Sequence, residues 1–220
     1  MIGFTLRRLA AKLANSFGIS HTADLLRPRQ LGAGVAGGCE AAIHATRRFL
    51  EDASEDEILV KLDFRNTFNT LHRKNMLVVV ANHAPEILPF ATSAYSSPTV
   101  LRFGDHYLES CEGPQQGDPL GPLLFCLAIQ PMLSSLTSEL TIGYLDDLTL
   151  AGDQKVVAED VQNILAYSKD LGLTLNVSKC EVIAPHTTRV SDLFLSSFQR
   201  VDPSGCLLPR SSSLSGRGCG

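Results

Sequence analysis

One segment restricts the possible folds of this chain more than any other: Ile58-Leu59-Val60-Lys61-Leu62-Asp63-Phe64. It is rich in β-branched and apolar types, and its period of two predicts a strand with Ile58, Val60, Leu62 and Phe64 on one face and Asp63 on the other. A second acidic feature, Asp146-Asp147, stands in the turn Tyr144-Leu145-Asp146-Asp147, which two short apolar strands flank. Taken alone, an acidic pair in a turn is usually just solvated, and a single Asp on a strand's polar face usually has no task. The two become informative only in a fold that brings the strand end and the turn together.

The remaining pattern is mixed. Leu6, Leu9, Leu13 and Phe17 recur at helical steps and predict a helix over residues 4 to about 16. A loop bounded by Pro28 and the glycines from Gly32 to Gly38 precedes a predicted helix over 39–50. Helices are expected over 71–82 and, after Pro85, over 86–95; a hairpin is expected over 100–103 and 106–110, turning at Gly104-Asp105. The apolar run 123–136 reads as a buried helix. Residues 158–171 form an amphipathic helix with Gly172 as its stop. Strands are expected around 173–175 and 180–183, and the tail from Pro203 shows no periodicity. This order predicts an α+β layer with helices on one face of an antiparallel sheet.

Composition excludes several classes. With 220 residues, 44% apolar and 19% charged, the chain suits one core-forming domain, or one and a part, rather than a disordered or fibrous protein. Six scattered cysteines without a C-x-x-C pair predict free thiols in a reducing compartment. No apolar run approaches the roughly 20 residues that span a bilayer, and no secretory signal opens the chain. The expected location is intracellular, nucleus or cytoplasm, without membrane contact. Arg7, Arg8 and Lys12, with no acid before Asp24, would also suit a mitochondrial presequence, and Asn176-Val177-Ser178 matches a glycosylation acceptor only by accident. Residues 1–50 hold seven Lys or Arg against two Asp or Glu, so the rest of the chain must carry −9 to reach the net −4. A basic first segment on an acidic body suits a backbone-gripping region joined to a carboxylate metal site, or merely an uneven surface.

Carboxylates converging from rigid elements are what phosphoryl transfer asks for. Its two divalent cations, about 3.5 to 4 Å apart, activate the attacking hydroxyl and hold the leaving phosphates. Four ordered signatures sharpen this reading. Lys61-Leu62-Asp63-Phe64-Arg65-Asn66-Thr67-Phe68-Asn69 resembles the first palm motif of reverse transcriptases, and Gln115-Gln116-Gly117-Asp118-Pro119-Leu120-Gly121-Pro122-Leu123-Leu124-Phe125 resembles the second. Tyr144-Leu145-Asp146-Asp147 is similar to their Y-x-D-D motif, and Gly172-Leu173-Thr174-Leu175-Asn176-Val177-Ser178-Lys179-Cys180-Glu181 to their fourth. The resemblance covers roughly residues 4 to 201 and is to the enzymes of non-LTR (LINE-type) retrotransposons.

That resemblance implies a polymerase palm, an antiparallel sheet backed by helices, over residues 57–201. It also implies partial helical fingers over 1–56 and an irregular tail over 202–220. It implies an RNA-directed DNA polymerase with an RNA template, a DNA primer, deoxynucleoside triphosphates and two Mg²⁺ ions, Mn²⁺ being an alternative. Asp63, Asp146 and Asp147 would hold the metals and Lys179 would protonate the leaving pyrophosphate. Phe68 would exclude a ribose 2′-hydroxyl, unless it is a core Phe at a helix start. Gln116, Gly117 and Tyr144 would lie at the nucleotide, and Arg29 and Gln30 at the template. Arg65 and Arg73 are expected at the surface or on nucleic acid.

The rival readings are an RNA-dependent RNA polymerase, which usually has Asp at the Phe68 position, and an inactive transposon fragment that at most binds nucleic acid. Gly32-Ala33-Gly34-Val35-Ala36-Gly37 fits a dinucleotide fingerprint, but Arg27-Pro28-Arg29-Gln30 stands where the strand should be. Three departures from the family are expected to matter. Thr67 replaces a small Ala, adding a hydroxyl in a tight place. The chain is expected to begin just after an Arg-Pro-Ile segment that holds the triphosphate. Residues 207–216 can be encoded by CTG CTT CCT CGG AGC TCC TCT CTT TCC GGG, which, one base later from the second codon, reads Phe-Leu-Gly-Ala-Pro-Leu-Phe-Pro, close to the family's Leu-Gly-x-Pro primer grip. An out-of-frame tail is therefore expected.

Overall fold

The computed structural model describes residues 2–186 and 190–208. Most of the predicted tail, residues 209–220, and Cys219 with it, lie outside the described residues. In chain order the elements are α1 (Ile2–Leu26), α2 (Gly38–Asp52), β1 (Glu57–Leu62), the single turn α3 (Thr67–Thr70) and α4 (Arg73–His83). A 3-10 turn, Pro85–Ile87, runs into α5 (Leu88–Tyr95), and the hairpin β2 (Thr99–Phe103) and β3 (His106–Ser110) follows. Then come α6 (Gly121–Ser134), β4 (Leu140–Tyr144), β5 (Asp147–Asp153), α7 (Gln154–Leu171), β6 (Glu181–Ile183), a 3-10 turn Leu195–Ser197 and β7 (Gln199–Arg200).

The α+β class expected from the sequence is what the chain adopts. The main sheet has the order β4-β5-β1-β6-β7 and is antiparallel except for the parallel edge pair β6–β7. β1 is central, and both of its faces carry buried apolar residues. Ile58, Val60 and Leu62 enter the main core, whereas Leu59, on the face of Asp63, is also wholly buried, in a smaller core with Ala151, Ile183 and Val201. Phe49 and Leu50 of α2 pack on that second core, so helices cover both faces of the sheet rather than one. Residues 173–175 form no strand. They contribute a single bridge, Leu175 to Phe64, while Asn176 N–H donates to the Asp63 carbonyl.

Every residue of α6 from Leu123 to Gln130 is buried, as its uninterrupted apolar run predicts, and the helix packs against α1, α4 and α7. Pro122 sits in its first turn, where a missing N–H costs nothing. α1 extends ten residues past its predicted end. Its buried face is Ala11, Gly18, Thr22 and Leu26, so the stripe of Leu6, Leu9, Leu13 and Phe17 points outward. Asp160 of α7, 1% exposed, accepts hydrogen bonds from the backbone N–H groups of Thr137 and Ser138 and from both hydroxyls. This buried carboxylate fixes the α6–β4 connection and hence the strand that leads into the acidic turn. The described cysteines are all free thiols, and no helix among the described residues is long and apolar enough to cross a membrane.

Leu124 is 0% exposed in the first turn of α6. Leu124→Ala is expected to lower unfolding free energy by about 2–5 kcal/mol in denaturant melts, the range for a buried leucine cavity. Val78→Ala, at a half-exposed position of α4, should stay within about 0.5 kcal/mol of the parent.

Candidate active site

Sheet register brings the acidic residues together. β1 and β5 pair Leu62 with Leu148, so one further step of the ladder sets Asp63 opposite Asp147. β4 and β5 close with Tyr144 opposite Asp147, leaving Leu145 and Asp146 as a two-residue turn. Asp63 is gripped from below: Asn176 Nδ2 donates to its Oδ1 at 2.8 Å, and its own N–H donates to Cys180 Sγ at 3.5 Å. Asp146 is held from the side, where the Thr67 hydroxyl donates to its Oδ2 at 2.8 Å. The hydroxyl expected to crowd this spot has a partner instead. Because the Asn176 amide is committed to Asp63, it is no free glycosylation acceptor.

The like charges interact. The Asp147 carboxyl is held above its ordinary 3.8, first by partial loss of solvent and then by the charges of Asp146 and Asp63, with Lys61 opposing. Burial pushes the Cys126 thiol up to about 12, with the Asp146 charge adding to the effect from beneath the turn. Among the described residues no three His, Cys, Asp or Glu side chains are gathered closely enough to hold a metal ion as they stand. The donor set nonetheless fits a hard divalent cation: all three groups are carboxylates, they repel one another, and one oxygen each of Asp63 and Asp146 remains outside the hydrogen bonds described.

Asp63, Tyr144, Asp147 and Lys179 line one cleft of about 600 Å³ on the α2 side of the sheet, with Lys61, Glu181 and the segment Pro203 to Gly205 at its edges. Asp146 sits on the flank and borders a small apolar hollow with Phe64, Phe125 and Leu145. Lys179 is exposed, and Lys61 pairs with Glu181 at 3.3 Å. Phe68 is half-buried and stacks on Phe125 with centroids 4.8 Å apart, so it is at least a packing residue.

The other predicted residues lie elsewhere. Gln116 and Gly117 are exposed at the tip of a loop and border a separate cavity of about 90 Å³ with Arg7 and Arg8. Asp118 tethers that loop, accepting from the Tyr95 hydroxyl at 2.6 Å and from Leu120 N–H. Burial and the Asp118 hydrogen bond push the Tyr95 phenol pKa upward. Arg29 donates to the Leu133 carbonyl at the end of α6, and Gln30 is 0% exposed with its amide bonded to Leu145 and Gly32. The Gln30 amide is thus closed to a template, whereas Arg29 is half-buried. Arg73 is likewise not a surface residue: at 5% exposure it donates to the Gly113 and Ser97 carbonyls and the Ser110 hydroxyl. The Gly32 to Gly37 loop follows a helix, not a strand, as the rejected dinucleotide reading requires.

Sequence reasoning missed the supporting roles of Asn176, Cys180, Thr67 and Gln30. Asn176 and Cys180 stood inside a motif already singled out, but nothing in their spacing said which residue they would support.

Comparison with known proteins places this architecture. The family described as "Reverse transcriptase (RNA-dependent DNA polymerase)" matches residues 4–196. The chain is 26% identical over 148 residues to the Pol polyprotein of the type-1 retrotransposable element R2 of Popillia japonica, covering 59% of this chain and 24% of that protein. It is 28% identical over 190 residues to the retrotransposable element SLACS 132 kDa protein of Trypanosoma brucei gambiense, covering 79% and 16%. The chain thus spans a quarter or less of either relative. Among solved structures, telomerase from Candida albicans with a TWJ fragment of telomeric RNA superposes with a TM-score of 0.62 at 14% identity, covering 84% of this chain and 36% of that one. Apo telomerase from Candida tropicalis lacking its C-terminal domain gives 0.59 at 12%, covering 86% and 41%. These likenesses carry the fold.

A carboxyl whose folded pKa is raised ionises less favourably in the fold than in the open chain. Asp147 therefore lowers stability once pH rises through 3.8 toward its raised value, and has no such effect below 3.8. Asp147→Asn is expected to melt higher than the parent near neutral pH in metal-free buffer, with the gap closing as pH falls below 3.8. A gap independent of pH would contradict the raised pKa.

Proposed function

Since the chain belongs to the reverse transcriptase (RNA-dependent DNA polymerase) family, we propose that it carries the polymerase centre of a non-LTR retrotransposon-type RNA-directed DNA polymerase. Residues 57–201 are its palm and residues 1–56 part of its fingers. It extends a DNA primer 3′-hydroxyl along an RNA template with deoxynucleoside triphosphates, inside the cell. The observation that carries this reading is the meeting of Asp63 with the Asp146-Asp147 turn at the end of a central strand.

Asp63, Asp146 and Asp147 would hold divalent cations, two Mg²⁺ by preference, which supply activation of the attacking hydroxyl and charge neutralisation at the phosphates. Asn176 and Thr67 keep two of those carboxylates from turning away, since each occupies one oxygen and leaves the other available. Lys179, which lines the same cleft, would donate a proton to the departing pyrophosphate. Tyr144 forms the wall beside Asp147, while Gln116 and Gly117, exposed on their tethered loop, would meet the incoming nucleotide. Phe68, pinned against Phe125, would present a rigid edge to the sugar and exclude a 2′-hydroxyl.

Two expectations follow for primer extension on an RNA template. Asp63→Asn and Asp146→Asn should each slow extension by about a hundredfold or more, as removal of an electrostatic contact at the reacting phosphate does, and parent-like rates in both would refute the assignment. Phe68→Val should raise ribonucleotide incorporation relative to deoxynucleotide incorporation; unchanged selectivity would leave Phe68 a core residue only.

A further inference from the structure

We propose that Gln30 is a positioning residue for the acidic turn, its side-chain amide acting as a surrogate strand that holds Leu145 and therefore aims Asp146. This rests on the polymerase reading for its functional consequence, although the structural part stands alone.

Leu145 has φ 56, a left-handed conformation that a residue with a Cβ adopts only when its surroundings hold it there. As the first residue of a two-residue turn, it has no ladder partner in β4 or β5 for its own N–H and C=O. Gln30 supplies both: its Oε1 accepts from Leu145 N–H at 3.1 Å, and its Nε2 donates to the Leu145 carbonyl at 3.4 Å. The same Oε1 accepts from Gly32 N–H at 2.9 Å, which fixes the amide's orientation.

The loop carrying Gln30 is itself immobilised against the hairpin. Gly143 N–H donates to the Arg29 carbonyl at 2.7 Å and Leu31 N–H to the Gly143 carbonyl at 2.7 Å, a parallel bridge. The Arg29 guanidinium is anchored on the Leu133 carbonyl. Contact at Gly32 is so close that a Cβ there would lie 2.4 Å from the Leu145 nitrogen. Both backbone groups of Leu145 are thereby engaged, and Asp146, next in the chain, is held in addition by the Thr67 hydroxyl. A template contact would need an accessible amide, and Gln30 has none.

The test uses the full 220-residue chain and the near-isosteric Gln30→Met, which keeps the volume and removes the hydrogen bonds. In the parent, amide hydrogen exchange at Leu145 should be as slow as in the β4–β5 ladder although it lies at the turn tip. In Gln30→Met it should accelerate about tenfold or more while β1 stays protected, the effect of unpairing a buried backbone group. In steady-state extension the variant should lose kcat about tenfold or more and keep its KM for template–primer, because positioning acts only on the reacting geometry.

Fast Leu145 exchange in the parent, or unchanged exchange in the variant, overturns the clamp. So does a raised KM at constant kcat, which would mark a template contact. Should the variant not fold, the parent's exchange still decides. Absence of extension by the parent would count against the polymerase reading and leave the exchange result to judge Gln30.

Discussion

Gathering three carboxylates at one end of the central strand is the constraint on which the site depends. The Asp147 pKa is raised first by partial burial and then by the charges of Asp146 and Asp63, so seating this carboxylate here has a cost. The three stay together because each is anchored to backbone that cannot yield. Asp63 directly follows a strand paired on both sides, Asp147 begins its neighbour, and Asp146 is confined to a two-residue turn. Hydrogen bonds from Asn176 and Thr67 then limit rotation of two of the side chains.

The energy for this arrangement is drawn from elsewhere in the chain. α6 lies under the turn and is buried along most of its length, so the hydrophobic core presses directly on the base of the site. Cys126 and Phe125 mark this contact: one feels the Asp146 charge, and the other stacks on Phe68. Buried polar tethers complete the frame. Asp160 sets the entry to β4, Arg73 gathers the loops around Gly113, and Tyr95 with Asp118 holds the loop whose tip exposes Gln116 and Gly117. Rigid anchorage with an exposed tip is the arrangement expected of a surface that meets a ligand.

Much of this was legible in advance, for reasons that differ by element. Period-two alternation identified β1, and the uninterrupted apolar run identified α6, because both patterns report burial directly. Their limits were equally physical. Leu59 shares its face with Asp63, and only the packing of α2 shows that this face is also covered. The outward stripe of α1 has helical spacing, but spacing does not say which face a neighbour takes; the small residues Ala11 and Gly18 let α6 approach on the other side. Arg73 and Gln30 were misread because charge and polarity suggest solvent or nucleic acid, whereas burial with complete hydrogen bonding reverses that inference.

By itself the sequence determined which residues could carry the chemistry and in what order, since carboxylates on a strand end and in a hairpin turn are local facts of residue type and period. The tertiary structure alone decided which polar residues serve those carboxylates. Asn176 reaches Asp63 across 113 positions, and Gln30 reaches Leu145 across 115. A hydrogen bond depends on angstroms in space, and no local pattern encodes a distance between segments that meet only after the chain has packed.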